Sequence, residues 1–297
     1  MITARPNPRA TRPEPSVPAR LLAGLLLLSC AAASCAPAAT PAGGEIGDHV
    51  ERALASGTAS FDHSAWNRLL ADTVVDGFID YEAVRARRDE LDAYLERVGS
   101  AELTALSRDH LMALLINAYN AYTVASILDH PGVESIREID GVWKERTHHV
   151  GGFDLTLDTI EHGLLRPYFQ DPRIHFAVNC AAWSCPPLPP WAFAGDRLDA
   201  QLEEWARVFF ADPDNASVRD GKLWLSRILD WYGGDFTAAE SEPRADTVAA
   251  FVARYAPERV RVFIEKHVEE QNGDPPVEFF EYDWSLNDAA RLRPPAP

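Results

Sequence analysis

The stretch from Arg108 to Leu128 reads as a single helix that is apolar on nearly every face, carrying Leu111, Met112, Leu114, Leu115, Ile116, Val124, Ile127 and Leu128. A helix without a polar face has to be buried. A chain of 297 residues is long enough to build a sizeable core around it. Two amides interrupt the run. Asn117 and Asn120 stand three residues apart, which puts both carboxamides on one side of the helix. An unpartnered buried carboxamide costs about 1–3 kcal/mol, so each has to find a partner inside the protein. Either they tie down a neighbouring loop, or they orient a catalytic group and hold a substrate carbonyl.

The remaining elements are shorter. Ala65 to Leu70 reads as a helix and Val74 to Tyr81 as a strand pair around a Gly turn. Tyr81 to Val98 is an amphipathic helix, and Leu155 to Phe169 is another, halted near Arg166 by Pro167. Leu198 to Phe210, Leu223 to Phe236 and Thr247 to Tyr255 also read as helices, the middle one closed by Gly233-Gly234. Gly141 to Asp154 is a loop or hairpin, while Arg261 to Ile264 and Val277 to Tyr282 look extended. Helices interspersed with a few short strands, without regular βαβ units or internal repeats, predict an α+β fold. The expected architecture is a helix-rich single domain around a small mixed or antiparallel sheet.

Residues 1–20 are rich in Pro and Arg, and Leu21 to Ala33 is a short apolar run. A bilayer span needs about twenty residues, so this run matches the core of a signal peptide instead. Leu27-Leu28-Ser29-Cys30 resembles a bacterial lipobox with Cys30 as the lipidated residue; cleavage near Ala36 to Ala39 is the plain alternative. Residues 1–35 are thus expected to be a signal segment and residues 36–59 a flexible tether. One globular domain follows over residues 60–288, then a short tail over residues 289–297. Location is expected to be periplasmic or membrane-anchored, with the membrane touched only through the lipid. A net charge of −17 argues against nucleic acid as a partner.

The polar chemistry concentrates between Arg173 and Leu188. Ile174 to Val178 reads as a strand that delivers Asn179, Cys180 and, past Trp183, Cys185 into a Pro-rich loop. The cysteine pair has three readings: a small disulfide loop, zinc ligands together with His162 or His175, or a nucleophile at Cys180. On a strand His175 faces away from Cys180, which makes His175 structural. His162 is then the better base, one turn beyond Asp158 and beside Glu161, two acids suited to a capping box and to fixing its tautomer.

Several stretches resemble the domain of unknown function 547 family: Leu115 to Tyr122, Leu157 to Arg166, Ile174 to Cys180, Ser184 to Leu188, and Glu281 to Asn287. The resemblance covers about residues 60 to 288. It implies that bacterial members are exported, and that Cys180 and His162 are a more widely shared pair than the two cysteines. A weaker likeness is to the papain and transglutaminase type of fold, with an amide-bearing helix where those proteins carry their cysteine.

Together these readings predict a cysteine-dependent hydrolase or acyl transferase acting on an amide or thioester. Cys180 attacks, His162 moves the proton, Asp158 or Glu161 orients it, and Asn117 or Asn120 stabilises the oxyanion. His175, Asn179, Trp183 and Arg166 are expected to bind the substrate. No cofactor is implied and no metal ligand set is assigned. The alternatives are a zinc protein, or a non-catalytic envelope module that binds a partner through Trp183-Ser184 and Pro186 to Trp191.

Overall fold

The computed structural model describes residues 39–292. Cys30 and the expected signal segment lie outside the described residues. Five helices form the first half: α1 (Gly44–Ser56), α2 (Ser64–Thr73), α3 (Tyr81–Arg85), α4 (Arg88–Gly99) and α5 (Arg108–Asp129). Helix α5 is the buried axis that its composition demands, with every residue from Leu111 to Leu128 buried. Helices α1, α3 and α4 pack on it, as does a π-helix over Thr159–Phe169. The second half contributes α6 (Ile174–Ala177), α7 (Leu198–Ala211), α8 (Arg227–Trp231), α9 (Gly233–Thr237), α10 (Val248–Tyr255) and α11 (Glu258–Gln271).

The strands are few and short, which bears out the α+β class. β1 (Val74–Val75) pairs with β2 (Phe78–Ile79), and β3 (Thr147–Val150) with β4 (Phe153–Thr156), both antiparallel. β5 (Ala216–Arg219) runs antiparallel to β6 (Lys222–Leu225), which lies parallel to β7 (Val277–Phe279). The first hairpin turns through Asp76 and Gly77, both with positive φ, as a two-residue turn matching strand twist requires. A Cβ on Gly77 would lie 2.5 Å from that of Pro187, so this turn also seats the cysteine-bearing loop.

The side chains form two clusters. One gathers around α5; the other is built from Phe176, Phe209, Phe210, Phe236 and Phe251. Helices α6 and α7 belong to both. Ile174 and Ala177 face the first cluster while Phe176 enters the second, and Leu202 and Trp205 face the first while Ala206 and Phe209 enter the second. The seam between the two clusters therefore runs through the segment that leads to Cys180.

Several expectations are corrected. The stretch from Ile174 is a helical turn, not a strand. Asp171 accepts from the Arg173 amide at 3.0 Å, and the Ile174 amide donates to the Asp171 carbonyl at 3.2 Å, so an Asp-Pro start winds the chain into a helix. Full burial on both sides removed the polar residues that distinguish the two periods. Leu223 to Leu225 is a strand, and Ser226 then caps α8 through the Ile228 amide. Arg261 to Ile264 lies inside α11, and Tyr81 to Val98 divides into α3 and α4. Residues 44–56 of the expected tether form α1, because Ile46, Val50 and Ala53 at helical spacing dock on the core.

Candidate functional site

Two segments deliver the ionisable side chains of the site. The π-helix presents Glu161, His162 and Arg166, and α6 presents His175. A widened helical turn of this kind is uncommon and recurs at functional sites. The helix passes through Pro167 to Phe169 and does not stop at Arg166. Asp158 makes no capping bond. Its φ of −59° and ψ of −41° are already helical, and the Thr159 amide is capped by Thr156 Oγ1 at 3.0 Å. Asp158 consequently does not orient His162; its ion-pair neighbour is Lys144 at 3.8 Å.

Arg166 organises the cluster. Its side chain is 4% exposed. Nε and Nη2 donate to the two oxygens of Asp235 at 2.6 and 2.9 Å, a fork-on-fork pair. Nη1 lies 3.1 Å from His162 Nδ1. A guanidinium only donates, so His162 Nδ1 accepts and the neutral ring carries its hydrogen on Nε2. His175 Nε2 lies 2.8 Å from Asp235 Oδ2, and the ring stacks on Tyr232 with centroids 4.1 Å apart. Because the carboxylate accepts, Nε2 carries the hydrogen of neutral His175 and Nδ1 keeps its lone pair. Nδ1 has no hydrogen-bond partner among the described residues. Burial by itself pushes the Asp235 carboxyl up, but hydrogen bonds from His175 and Arg166 outweigh it and hold it well below the usual carboxylate range.

The sulfurs face the same space. Cys180 and Cys185 form a disulfide with Cα atoms 6.0 Å apart. The Tyr282 hydroxyl lies 3.3 Å from each sulfur, and the Cys180 amide donates to Cys185 Sγ at 2.9 Å. Ala181 next to it adopts a φ of 60°, a left-handed conformation that is strained for a residue with a Cβ. An amide network holds that turn. Asn179 Oδ1 accepts from the Ala181 amide and from Asn287 Nδ2, and Asn179 Nδ2 donates to the Pro186 carbonyl.

The two amides of α5 serve the loops, not an oxyanion. Asn117 bonds the amide and the carbonyl of Phe193 at 3.1 and 2.8 Å. Asn120 accepts from the Asn179 amide at 2.8 Å and donates to the Ala177 carbonyl at 2.9 Å. Both carboxamides are thereby consumed on opposite ends of the cysteine loop, which corrects the expected oxyanion role. Asn120→Ala strands two buried backbone groups and is expected to cost on the order of 3 kcal/mol. A urea denaturation midpoint unchanged from wild type would contradict this.

A cavity of about 690 Å³ opens where these segments meet. Glu161, His162, Arg166, His175 and Cys180 line it together with Asp158, and Trp143, Trp231 and Trp284 supply its aromatic wall. Among the residues singled out in the sequence, Asn117, Asn120, Asn179 and Trp183 do not line it. Trp183 is packed between the Phe78 ring at 4.3 Å and the Arg291 guanidinium at 4.5 Å, so it is not the free contact surface expected of it. His162 and Cys180 share the cavity, but no hydrogen bond joins them. The two sulfurs are bonded to each other, and no metal-holding group of three or more His, Cys, Asp or Glu occurs among the described residues.

Asp235, Tyr119, Tyr232 and Tyr282 escaped the sequence reading. Tyr119 lies between the two amides of α5 and Tyr282 lies in the C-terminal motif, so both sat within stretches already singled out. Asp235 follows Gly233-Gly234 and is 60 residues from the histidine it binds, and nothing local marks it.

Fold and cavity define a helix-rich α+β protein whose ionisable groups converge at the junction of two apolar clusters. Residues 103–210 match the family model described as "Protein of unknown function, DUF547", which supports a domain of that family over this stretch. The match takes in α5, the π-helix, α6 and the cysteine loop, while Asp235, Tyr232 and Tyr282 lie beyond it. No curated protein and no solved structure matches the chain.

Proposed function

We propose that the cavity is the active site of a cysteine-dependent hydrolase or acyl transferase, latent while Cys180 is bonded to Cys185. One juxtaposition carries the proposal: His175, bonded through Nε2 to Asp235 and with Nδ1 unpartnered among the described residues, lines the same cavity as Cys180. This is the base-and-orienter half of a nucleophile triad. His175 takes the role assigned in the sequence to His162, whose Nδ1 already accepts from Arg166.

A low-molecular-weight dithiol supplies the two electrons that open the disulfide, leaving as its own disulfide. The freed Cys180 sulfur attacks the carbonyl carbon of an amide or thioester. His175 Nδ1 takes the thiol proton and returns it to the leaving amine or thiolate as that bond breaks. Water or an acceptor amine then releases the acyl group from sulfur. In the oxidised form the Cys180 amide donates to Cys185 Sγ. Reduction releases that N–H to stabilise the oxyanion, and the Tyr282 hydroxyl remains to stabilise the thiolate.

The test uses Cys185→Ser, in which Cys180 is free without a reductant. At pH 6 an ordinary thiol with a pKa of about 8.5 is less than about 1% thiolate. Iodoacetamide is expected to alkylate Cys180 at least about 10-fold faster than it alkylates a free cysteine at that pH. His175→Ala in the same background is expected to remove the advantage. Alkylation at the ordinary rate in both proteins would end the proposal.

A further inference from the structure

Glu161 raises a question that the thiol chemistry leaves open. Its side chain is 9% exposed, yet no Lys or Arg forms an ion pair with it among the described residues. Its nearest ion-pair neighbour is the His162 ring at 3.9 Å. Arg166, the cation closest in sequence, has Nε and Nη2 on Asp235 and Nη1 on His162. A buried carboxylate is expensive unless something cationic or hydrogen-bonding compensates it. The Arg166 charge acts on Glu161 from beyond ion-pair distance, and the hydrogen-bonding neighbours of Glu161 are phenolic. Burial, reinforced by the Glu161 charge, pushes the Tyr119 and Tyr232 hydroxyls well above the usual phenol range, so both are neutral donors. The same cavity is lined by a cluster of aromatic rings. Tyr282 and Trp284 lie 4.7 Å apart by ring centroids, Trp231 sits 4.8 Å from Tyr282, and Trp143 lies 6.1 Å from Trp284.

A buried carboxylate in the lining of an aromatic-rich cavity matches one ligand chemistry. An alkylammonium group gains charge attraction from the carboxylate and from the negative faces of the rings, and its alkyl part fits the apolar wall. Lys144 and Arg166 also line the cavity, but each is paired with a carboxylate, Asp158 and Asp235, so a carboxylate or phosphate ligand meets Glu161 as a like charge. Resting on the active-site reading above, we propose that Glu161 and the Trp143–Trp231–Trp284 wall form a subsite for an alkylammonium group, so that the amide or thioester substrate is a cationic one.

The probe is choline, compared with its uncharged carbon isostere 3,3-dimethylbutan-1-ol and with butyrate. Isothermal titration uses the disulfide form of the full chain, in which Cys180 cannot attack. Saturable choline binding is expected, at least about 10-fold tighter than that of the isostere, with no binding of butyrate. Glu161→Gln is expected to weaken choline about 10-fold or more while the urea midpoint stays near wild type. Trp284→Ala is a second variant with an independent folding risk, and is expected to weaken choline about 5-fold or more. Equal binding of choline and the isostere, preference for butyrate, or no saturable heat with choline would each overturn the subsite. Because alkylation reads the reduced sulfur and titration reads the oxidised cavity, either proposal can fail while the other stands.

Discussion

Asp235→Ala is expected to lower the free energy of unfolding by about 3–5 kcal/mol, the usual consequence of removing one partner from a buried ion pair. The reason is specific to the residue left behind. Arg166 is 4% exposed, and its two-pronged pair with the carboxylate, through Nε and Nη2, is lost with the substitution. The His175 ring loses its only hydrogen bond among the described residues at the same time. Asp235→Asn keeps the shape and one acceptor and is expected to cost less. Urea unfolding of the three proteins measures the order, and an Asp235→Ala protein within about 1 kcal/mol of wild type would contradict the account.

The same pair has a pH signature with a definite sign. The folded carboxyl is held below its unfolded value. Its contribution is therefore complete above the ordinary carboxylate range, near pH 4, and is lost as pH falls through the lower folded value. The stability gap between wild type and Asp235→Asn is expected to be constant near neutrality and to close on acidification. A gap that widens toward low pH would reverse the assignment.

Phe176→Ala carries the second large effect, about 3–5 kcal/mol by the measure of buried aromatic truncations. The ring is fully buried and meets Phe209 at 4.6 Å, Phe210 at 5.1 Å and Phe236 at 5.8 Å between centroids. Truncation leaves a void in the second cluster directly under α6. Since the same four-residue helix holds His175 at the preceding position, the variant is expected also to slow alkylation of Cys180 in the Cys185→Ser background. Phe176→Leu fills part of the void and is expected to recover most of both effects. Phe176→Ala unfolding at the wild-type midpoint would show that the seam between clusters is not held by this ring.

Much of the outer frame is written locally. The all-apolar face of α5, the Asp76-Gly77 and Gly151-Gly152 turns and the amphipathic α7 each reveal themselves within a few residues, because helix and hairpin formation depend on near neighbours. The segments whose chemistry defines the cavity were also visible: Glu161, His162, Arg166, His175 and Cys180 were all singled out, and all five line it. Their pairing was not legible. His175 looked structural because a fully buried helical turn carries no polar alternation to set its period. With a strand assumed, the ring was aimed the wrong way.

From its amino acids alone this protein was bound to bury one long apolar helix, to cluster its polar chemistry around Arg173 to Leu188, and to adopt a helix-rich α+β form. Only the tertiary structure decided which partner each polar side chain took. Asp235 met Arg166 and His175 across 69 and 60 residues, Tyr282 met the two sulfurs across 102 and 97 residues, and the α5 amides went to backbone groups of loops. The physical reason is that local backbone preferences act between near neighbours, whereas a buried charge or amide is satisfied by whatever the packed core places within about 3 Å of it.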